Sequence, residues 1–435
     1  MKFYSTSHKT QLVSLQEAVL KGLADDGGLF MPVELPVLTK RFFDKLTSMS
    51  FQELSFEVAQ KLLHEDVPSM VLKEIVINAL NFEAPLVQFD EQIFGLELFH
   101  GPTLAFKDFA ARFMAELMSY FVRNSDKELT ILVATSGDTG SAVAHGFFNT
   151  PGIRVFILYP SGKISTIQEK QLTTMGGNIT ALEIEGSFDD CQQLAKQAFG
   201  DRDLAKKLSL TSANSINIAR LIPQSFYYFH AYTQLKDKHA SVVFSVPSGN
   251  FGNLTGGLIA QKMGLPISKF IAATNANDVV PRYLKTGIFE PQPTKRTISN
   301  AMDVGNPSNF ARILDLYDGE VKRIRETIIG SSFSDEQTKT AMVEFYNNYN
   351  YILDPHSAVG YLGLKAYLSE SFRKINGIFL ETAHPSKFLE IIQNLVEVNV
   401  QIPERLQTYL TRKKQSLMLS NQFHDLKNYL LSHNH

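Results

Sequence analysis

Five short, apolar, β-prone runs (Thr130–Ala134, Val155–Tyr159, Val242–Val246, Phe270–Ala273 and Gly377–Leu380) are separated by stretches with helical spacing. That alternation constrains the fold more than any other feature of the chain. A strand that is apolar on both faces must be covered on both faces, and helices between strands supply the cover. The runs therefore predict α/β architecture with parallel sheets flanked by helices. No repeat at solenoid periods and no low-complexity tract competes with this reading.

Upstream the pattern differs. Ser14-Leu15-Gln16-Glu17 has the spacing of a capping box and opens a helix to about Lys21. Asp25-Asp26-Gly27-Gly28 turns the chain, and Pro32 and Pro36 prevent another immediate helix. Amphipathic spacing from about Lys40 to Asn81 predicts a helical N-terminal module. Strands follow at Ala84–Val87 and Phe94–Phe99, with a domain boundary near residue 85. Arg412-Lys413-Lys414 reads as the solvated face of a C-terminal helical segment.

Composition narrows the function classes. Lys plus Arg is 42 and Asp plus Glu is 44, a formal net charge of -2, so no basic excess supports a nucleic-acid or anionic-membrane partner. The single cysteine, Cys191, can form neither an internal disulfide nor a cysteine metal cluster, and no metal site is expected. The first residues carry no seven-residue apolar run or small-residue cleavage site. The most apolar long window, Ser241–Ala260, contains Pro247, Asn250, Asn253 and four glycines, so it reads as strand, turn and helix start. The expectation is a cytoplasmic protein.

Thr103-Leu104-Ala105-Phe106-Lys107-Asp108-Phe109 sets one lysine among bulky apolar residues at the start of a periodic helix. Phe106, Phe109, Ala110, Phe113, Leu117 and Phe121 share one apolar face. Desolvation and the positive end of the helix dipole both disfavour the ammonium form. Both leave more free amine, the form that condenses with an aldehyde cofactor. The alternative is a stem-buried lysine whose head reaches a carboxylate such as Asp108.

Three turns follow predicted strands, where open α/β sheets bind ligands. Thr135-Ser136-Gly137-Asp138-Thr139-Gly140 presents small residues and helix-start amides suited to an anion, or is an ordinary capped glycine turn. Ser248-Gly249-Asn250-Phe251-Gly252-Asn253 can form a nest around a phosphate. It lacks the Gly-Lys-Ser/Thr of a Walker A loop and the glycine spacing of a dinucleotide fingerprint. In Glu381-Thr382-Ala383-His384-Pro385 the first two residues face opposite sides, so only one can point at a ligand, and His384 before proline reads as structural rather than as a general base.

These segments, together with Ala24–Phe30, Ser212–Asn217 and Ser299–Val304, resemble the threonine synthase family of fold-type II pyridoxal-phosphate (PLP) enzymes, its bacterial and fungal branch, in order along nearly the whole chain. The resemblance implies a threonine-synthase-type N-terminal domain over 1–85 and a catalytic domain over 86–435. The latter would have two α/β lobes, the smaller roughly 104–225, with pyridoxal 5'-phosphate between them. It implies that Lys107 carries the cofactor and moves protons. Gly249, Asn250, Phe251, Gly252 and Asn253 would cup the cofactor phosphate, and Thr382 would offer its hydroxyl to the pyridine nitrogen. The implied reaction converts O-phospho-L-homoserine and water to L-threonine and phosphate. Its substrate carboxylate would sit on Ser136, Gly137, Asp138 and Thr139, and its phosphate on Lys163, Asn214, Ser215 and Arg220. A monomer or homodimer acting on a small molecule is expected. The alternatives are a phospholyase of the same family that releases a 2-oxo acid, or an inactive phosphate-binding relative. Many relatives carry asparagine where this chain has Asp138; an ionised carboxylate there would repel a phenolate-like oxygen, so Asp138 either holds a proton or points elsewhere.

Overall fold

The computed structural model describes residues 1–125, 127–396 and 400–433. β1 (Lys2–Ser5), β2 (Val13–Ser14) and β3 (Phe30–Pro32) form a small antiparallel sheet in the order β2-β1-β3. These strands are too short to show alternation, and the sequence reading missed the sheet. The predicted helices are present. Ser14 Oγ accepts from the Glu17 N–H at the start of Leu15–Lys21, and Lys40–Leu46, Phe51–Leu63 and Ser69–Ala79 follow. Ser50 and Glu53 close a full capping box at Phe51–Leu63.

The remaining strands are β4 (Leu86–Gln88), β5 (Ile93–Glu97), β6 (Leu129–Ala134), β7 (Ile153–Pro160), β8 (Ile179–Glu185), β9 (Ser209–Thr211), β10 (Ser241–Pro247), β11 (Ile267–Thr274), β12 (Ile328–Ser332), β13 (Ile375–Glu381) and β14 (Leu417–Ser420). They build a six-stranded sheet ordered β12-β11-β10-β13-β5-β4 and a five-stranded sheet ordered β14-β8-β7-β6-β9. Every pairing in these two sheets is parallel except β4 with β5. The five predicted runs lie inside β6, β7, β10, β11 and β13. β6 and β13 are buried along their whole length, as two-sided cover requires.

The smaller lobe is not contiguous. β14 comes back from the C-terminus to pair with β8. Arg412-Lys413-Lys414 accordingly lies between the helix Glu404–Leu410 and β14 rather than on a helix face. Lys414 Nζ sits 2.7 Å from Glu169 and 2.6 Å from Glu183, so that part of the charge run ties the returning segment to the sheet.

The helix Lys107–Val122 buries Phe109, Phe113, Met114, Leu117 and Met118. At roughly 1.5–3 kcal/mol per fully buried side chain, that face anchors the helix start firmly. Cys191 is buried in the core and free. Among the described residues, no helix is long and apolar enough to cross a membrane.

Candidate active site

The loops after β6, β10 and β13 converge on one cavity of about 1180 Å³. Lys107, Thr135, Ser136, Asp138, Thr139, Asn214, Ser215, Arg220, Gly249 to Asn253 and Thr382 all line it. Residues of the N-terminal module, among them Thr6, Ser7, Gly27 and Gly28, form another part of its wall.

Lys107 is the first residue of its helix. Asp108 does not pair with it. The Asp108 carboxylate turns back and accepts from the Thr103 hydroxyl (2.6 Å) and N–H (2.8 Å), so Asp108 is not the carboxylate that Lys107 reaches. The carboxylate facing Lys107 is Asp138, with Oδ2 3.8 Å from Nζ. Burial lowers the lysine pKa to about 8, with Asp138 opposing the shift and Lys387 and Arg220 reinforcing it. The motif is docked to the Thr382 segment by backbone: Phe106 N–H donates to the Thr382 carbonyl (2.9 Å) and His384 N–H to that of Leu104 (3.0 Å).

At the β10 turn, Phe251 is left-handed (φ 60°) and the helix Gly252–Lys262 starts immediately after it. A Cβ on Gly249 would stand 2.7 Å from Met302 Cα, so the turn closes on backbone there. A Cβ on Gly252 would meet no clash: its nearest protein atoms are 3.5 Å away, on Asn309 and Ser215. Asn250 spends its side chain internally, donating to Ser215 Oγ (2.7 Å) and accepting from the Ser308 N–H (2.6 Å). Asn253 behaves differently. The hydroxyls of Tyr227 and Tyr228 both donate to its Oδ1, at 2.7 and 2.8 Å, and its buried Nδ2 has no partner among the described residues. Arg220 is also buried. Nη1 donates to the Ala213 carbonyl (2.8 Å), while Nε has no partner among the described residues. Desolvation lowers its pKa to about 10 against the pull of Asp108. An amine of depressed pKa, helix-start amides, an orphaned amide donor and an orphaned guanidinium donor fit an aldehyde cofactor that carries a phosphate.

Several expected contributions need correction. Lys163 is exposed beyond β7 and does not line the cavity, because the turn after β7 points its flexible side chain to solvent. The Gly137 N–H already donates to Thr135 Oγ1 (3.0 Å), and Gly137 is not among the lining residues. Asp138 cannot receive a carboxylate through its side chain. Burial pushes its pKa up, but Lys387 and Lys107 override this and hold it well below the ordinary carboxylate range. It is therefore ionised, with Lys387 Nζ 2.6 Å from Oδ1 and Gln168 Nε2 donating to the same oxygen at 2.9 Å. Thr382 lines the cavity, whereas Glu381 turns away to accept from the Tyr351 hydroxyl (2.9 Å). The opposed directions of these two residues were legible from the strand period. His384 Nδ1 accepts from the Ser386 N–H (3.1 Å), a structural cap.

The sequence reading missed Lys387, Tyr227, Tyr228 and Arg312. Arg312 is fully buried and donates to the carbonyls of Phe30 and Ile216, at 3.0 and 2.7 Å, which joins the N-terminal module to the cavity wall. Only Lys387 left a trace in the sequence, as the one charge in the turn Pro385-Ser386-Lys387-Phe388 directly after the Thr382 segment.

Family models match along the chain: threonine synthase N terminus over residues 2–80, pyridoxal-phosphate dependent enzyme over 82–375, and threonine synthase, C-terminal over 357–430. The threonine synthase of Haemophilus influenzae is 46% identical over 433 residues, covering 99% of this chain and all of that protein. Two solved structures superpose closely. The threonine synthase of Escherichia coli does so with a TM-score of 0.93 at 42% identity, over the full length of both chains. The PLP-bound threonine synthase of Brucella melitensis does so with a TM-score of 0.93 at 35% identity, over 100% of this chain and 99% of that one.

Proposed function

The chain belongs to the threonine synthase family of PLP-dependent enzymes, and from that premise we propose how its residues share the work. The reaction converts O-phospho-L-homoserine and water to L-threonine and phosphate. Bound PLP supplies an electron sink that stabilises negative charge on the substrate carbons. Every other contribution belongs to the chain.

Lys107 holds the cofactor and then moves protons at the α and β carbons, because burial brings its amine down to a pKa of about 8, within reach of deprotonation. The amides of the Gly249–Asn253 turn and the free Nδ2 of Asn253 bind the cofactor phosphate. Thr382 would offer its hydroxyl to the pyridine nitrogen; a neutral partner there would keep the ring a mild sink, suited to elimination and replacement. The substrate carboxylate lies against Ser136 and Thr139 at the start of the helix Asp138–Gly146. The substrate phosphate is taken by Arg220, with Asn214 and Ser215 beside it.

One observation carries this assignment. A buried guanidinium with no carboxylate partner among the described residues lines the cavity that holds Lys107, and an anionic ligand would satisfy it. We divide the chain near residue 85, between the helix ending at Ala79 and β4. The near-neutral charge supports an enzyme that works on a small molecule without nucleic acid; a cytoplasmic monomer or homodimer belongs to the same reading. Incubation with O-phosphohomoserine should release phosphate and threonine in equal amounts; a 2-oxo acid as the main product would replace this reading with a phospholyase.

A further inference from the structure

Lys387 is among the most completely buried charges of the molecule. Its side chain is 0% exposed. It lies on the short turn Pro385–Phe388 just after the Thr382 segment, and it reaches two groups: Asp138 Oδ1 at 2.6 Å and the Thr103 carbonyl at 3.0 Å. Thr103 in turn holds Asp108 through its hydroxyl and N–H, beside Lys107. Gln171 Nε2 donates to the same Thr103 carbonyl at 3.1 Å. One ammonium thus joins the β6 turn, the Lys107 loop and the segment after β13.

The charge count around Lys107 gives that contact a consequence. Asp138 is the carboxylate facing Lys107, and Arg220 is the other cation acting on it. Asp108 is occupied by Thr103, and His384, next to Lys387, is held neutral by burial, its pKa near 4. Two ammonium groups therefore share one carboxylate, and the closer one is Lys387, at 2.6 Å against 3.8 Å for Lys107.

We propose that Lys387 is a positioning residue for Lys107: it takes up Asp138 and the Thr103 carbonyl, so that the carboxylate nearest Lys107 is already neutralised and the loop bearing Lys107 is pinned against the cavity. The proposal rests on Lys107 being the reactive amine. It also resolves the position of Asp138. The carboxylate is ionised, and its counter-charge is inside the protein, so an anionic oxygen in the cavity meets a neutral pair rather than a bare negative charge. With Lys387 replaced by methionine, Asp138 would pair with Lys107 alone and hold it as ammonium.

The test uses full-length protein freed of cofactor and reads the pH dependence of Lys107 acylation by acetic anhydride, quantified by peptide mass spectrometry. Wild type should show a midpoint near pH 8, set by the buried amine. Lys387→Met should move the midpoint up by about one unit or more, which lowers modification at pH 8 by roughly fivefold or more. Lys387→Arg keeps a cation and should restore much of the wild-type midpoint. The double variant Asp138→Asn/Lys387→Met removes the carboxylate together with its cation, so nothing holds Lys107 as ammonium, and it should return the midpoint to the wild-type value or below. A folded Lys387→Met chain with an unshifted midpoint overturns the proposal, as does a double variant that stays as high as the single one. Borohydride mapping of the cofactor to a different lysine would instead remove the Lys107 assignment, and this role with it.

Discussion

At the scale of single residues, the site depends on two cations held away from water. Arg220 donates one hydrogen bond to the Ala213 carbonyl and keeps Nε free. Arg220→Ala should lower kcat/KM for O-phosphohomoserine by roughly 10- to 150-fold, the loss of a charge-assisted phosphate contact of about 1.5–3 kcal/mol. Arg220→Lys should recover only part, since a point charge does not reproduce the fork. An equal loss with serine as substrate would make the residue structural. Lys107 has a cost in stability. Its pKa falls from 10.5 to about 8 on folding, so the folded chain binds that proton more weakly. The group's contribution is complete above pH 10.5 and is lost as pH falls through about 8. Cofactor-free Lys107→Met should therefore be more stable than wild type at pH 7 by roughly 1–3 kcal/mol, with the gain fading above about pH 10. Urea unfolding at the two pH values measures it, and a constant difference would mean the lysine is not depressed.

At the scale of elements, the turn between β10 and its helix does two jobs through two glycines. Gly249 is needed by the protein, since an added Cβ would stand 2.7 Å from backbone at Met302. Gly252 is not crowded, and the nearest atoms to an added Cβ are 3.5 Å away. Gly252→Ala should leave the melting temperature of cofactor-free protein unchanged or slightly higher, since alanine is the better helix former, yet weaken PLP binding by roughly tenfold or more, because the methyl takes space a phosphate approaches. Gly249→Ala should lower both. Melting curves with and without PLP separate the two; a Gly252→Ala protein that binds PLP like wild type would remove this turn from the cofactor site.

At the scale of the whole molecule, the C-terminus closes the smaller lobe by returning as β14. Glu183 is the junction. It accepts from Ser161 (2.8 Å), Tyr159 (2.9 Å) and Ser416 (2.9 Å), and it pairs with Lys414. Burial pushes its pKa up, but these partners override it and bring it down to about 2. A depressed carboxyl contributes stability above its unfolded pKa near 4.5, and this is lost as pH falls through about 2. Glu183→Gln should therefore loosen β14 at pH 7, seen as hydrogen exchange of its amides roughly fivefold or more faster than wild type. The difference should shrink as pH drops below 4.5. A difference independent of pH would assign the effect to packing instead of charge.

Much of this was readable without a structure, for a local reason. Two-sided burial writes β6, β7, β10, β11 and β13 as continuous apolar runs, and periodicity marks the helix from Lys107. Backbone needs mark the turns at Thr135–Gly140 and Ser248–Asn253 with small residues. Each of these signals lies within a few residues of what it specifies. Pairings between distant segments leave no such signal. Lys387 on Asp138, the two tyrosines on Asn253, Arg312 on Phe30 and β14 beside β8 join residues far apart in the chain. A charge can be buried only where a partner meets it, and no stretch of sequence states which partner that is. The amine and the loops around it were therefore set by local sequence. Which carboxylate faces Lys107, and which cation neutralises that carboxylate, was decided only when the lobes and the C-terminal segment packed together.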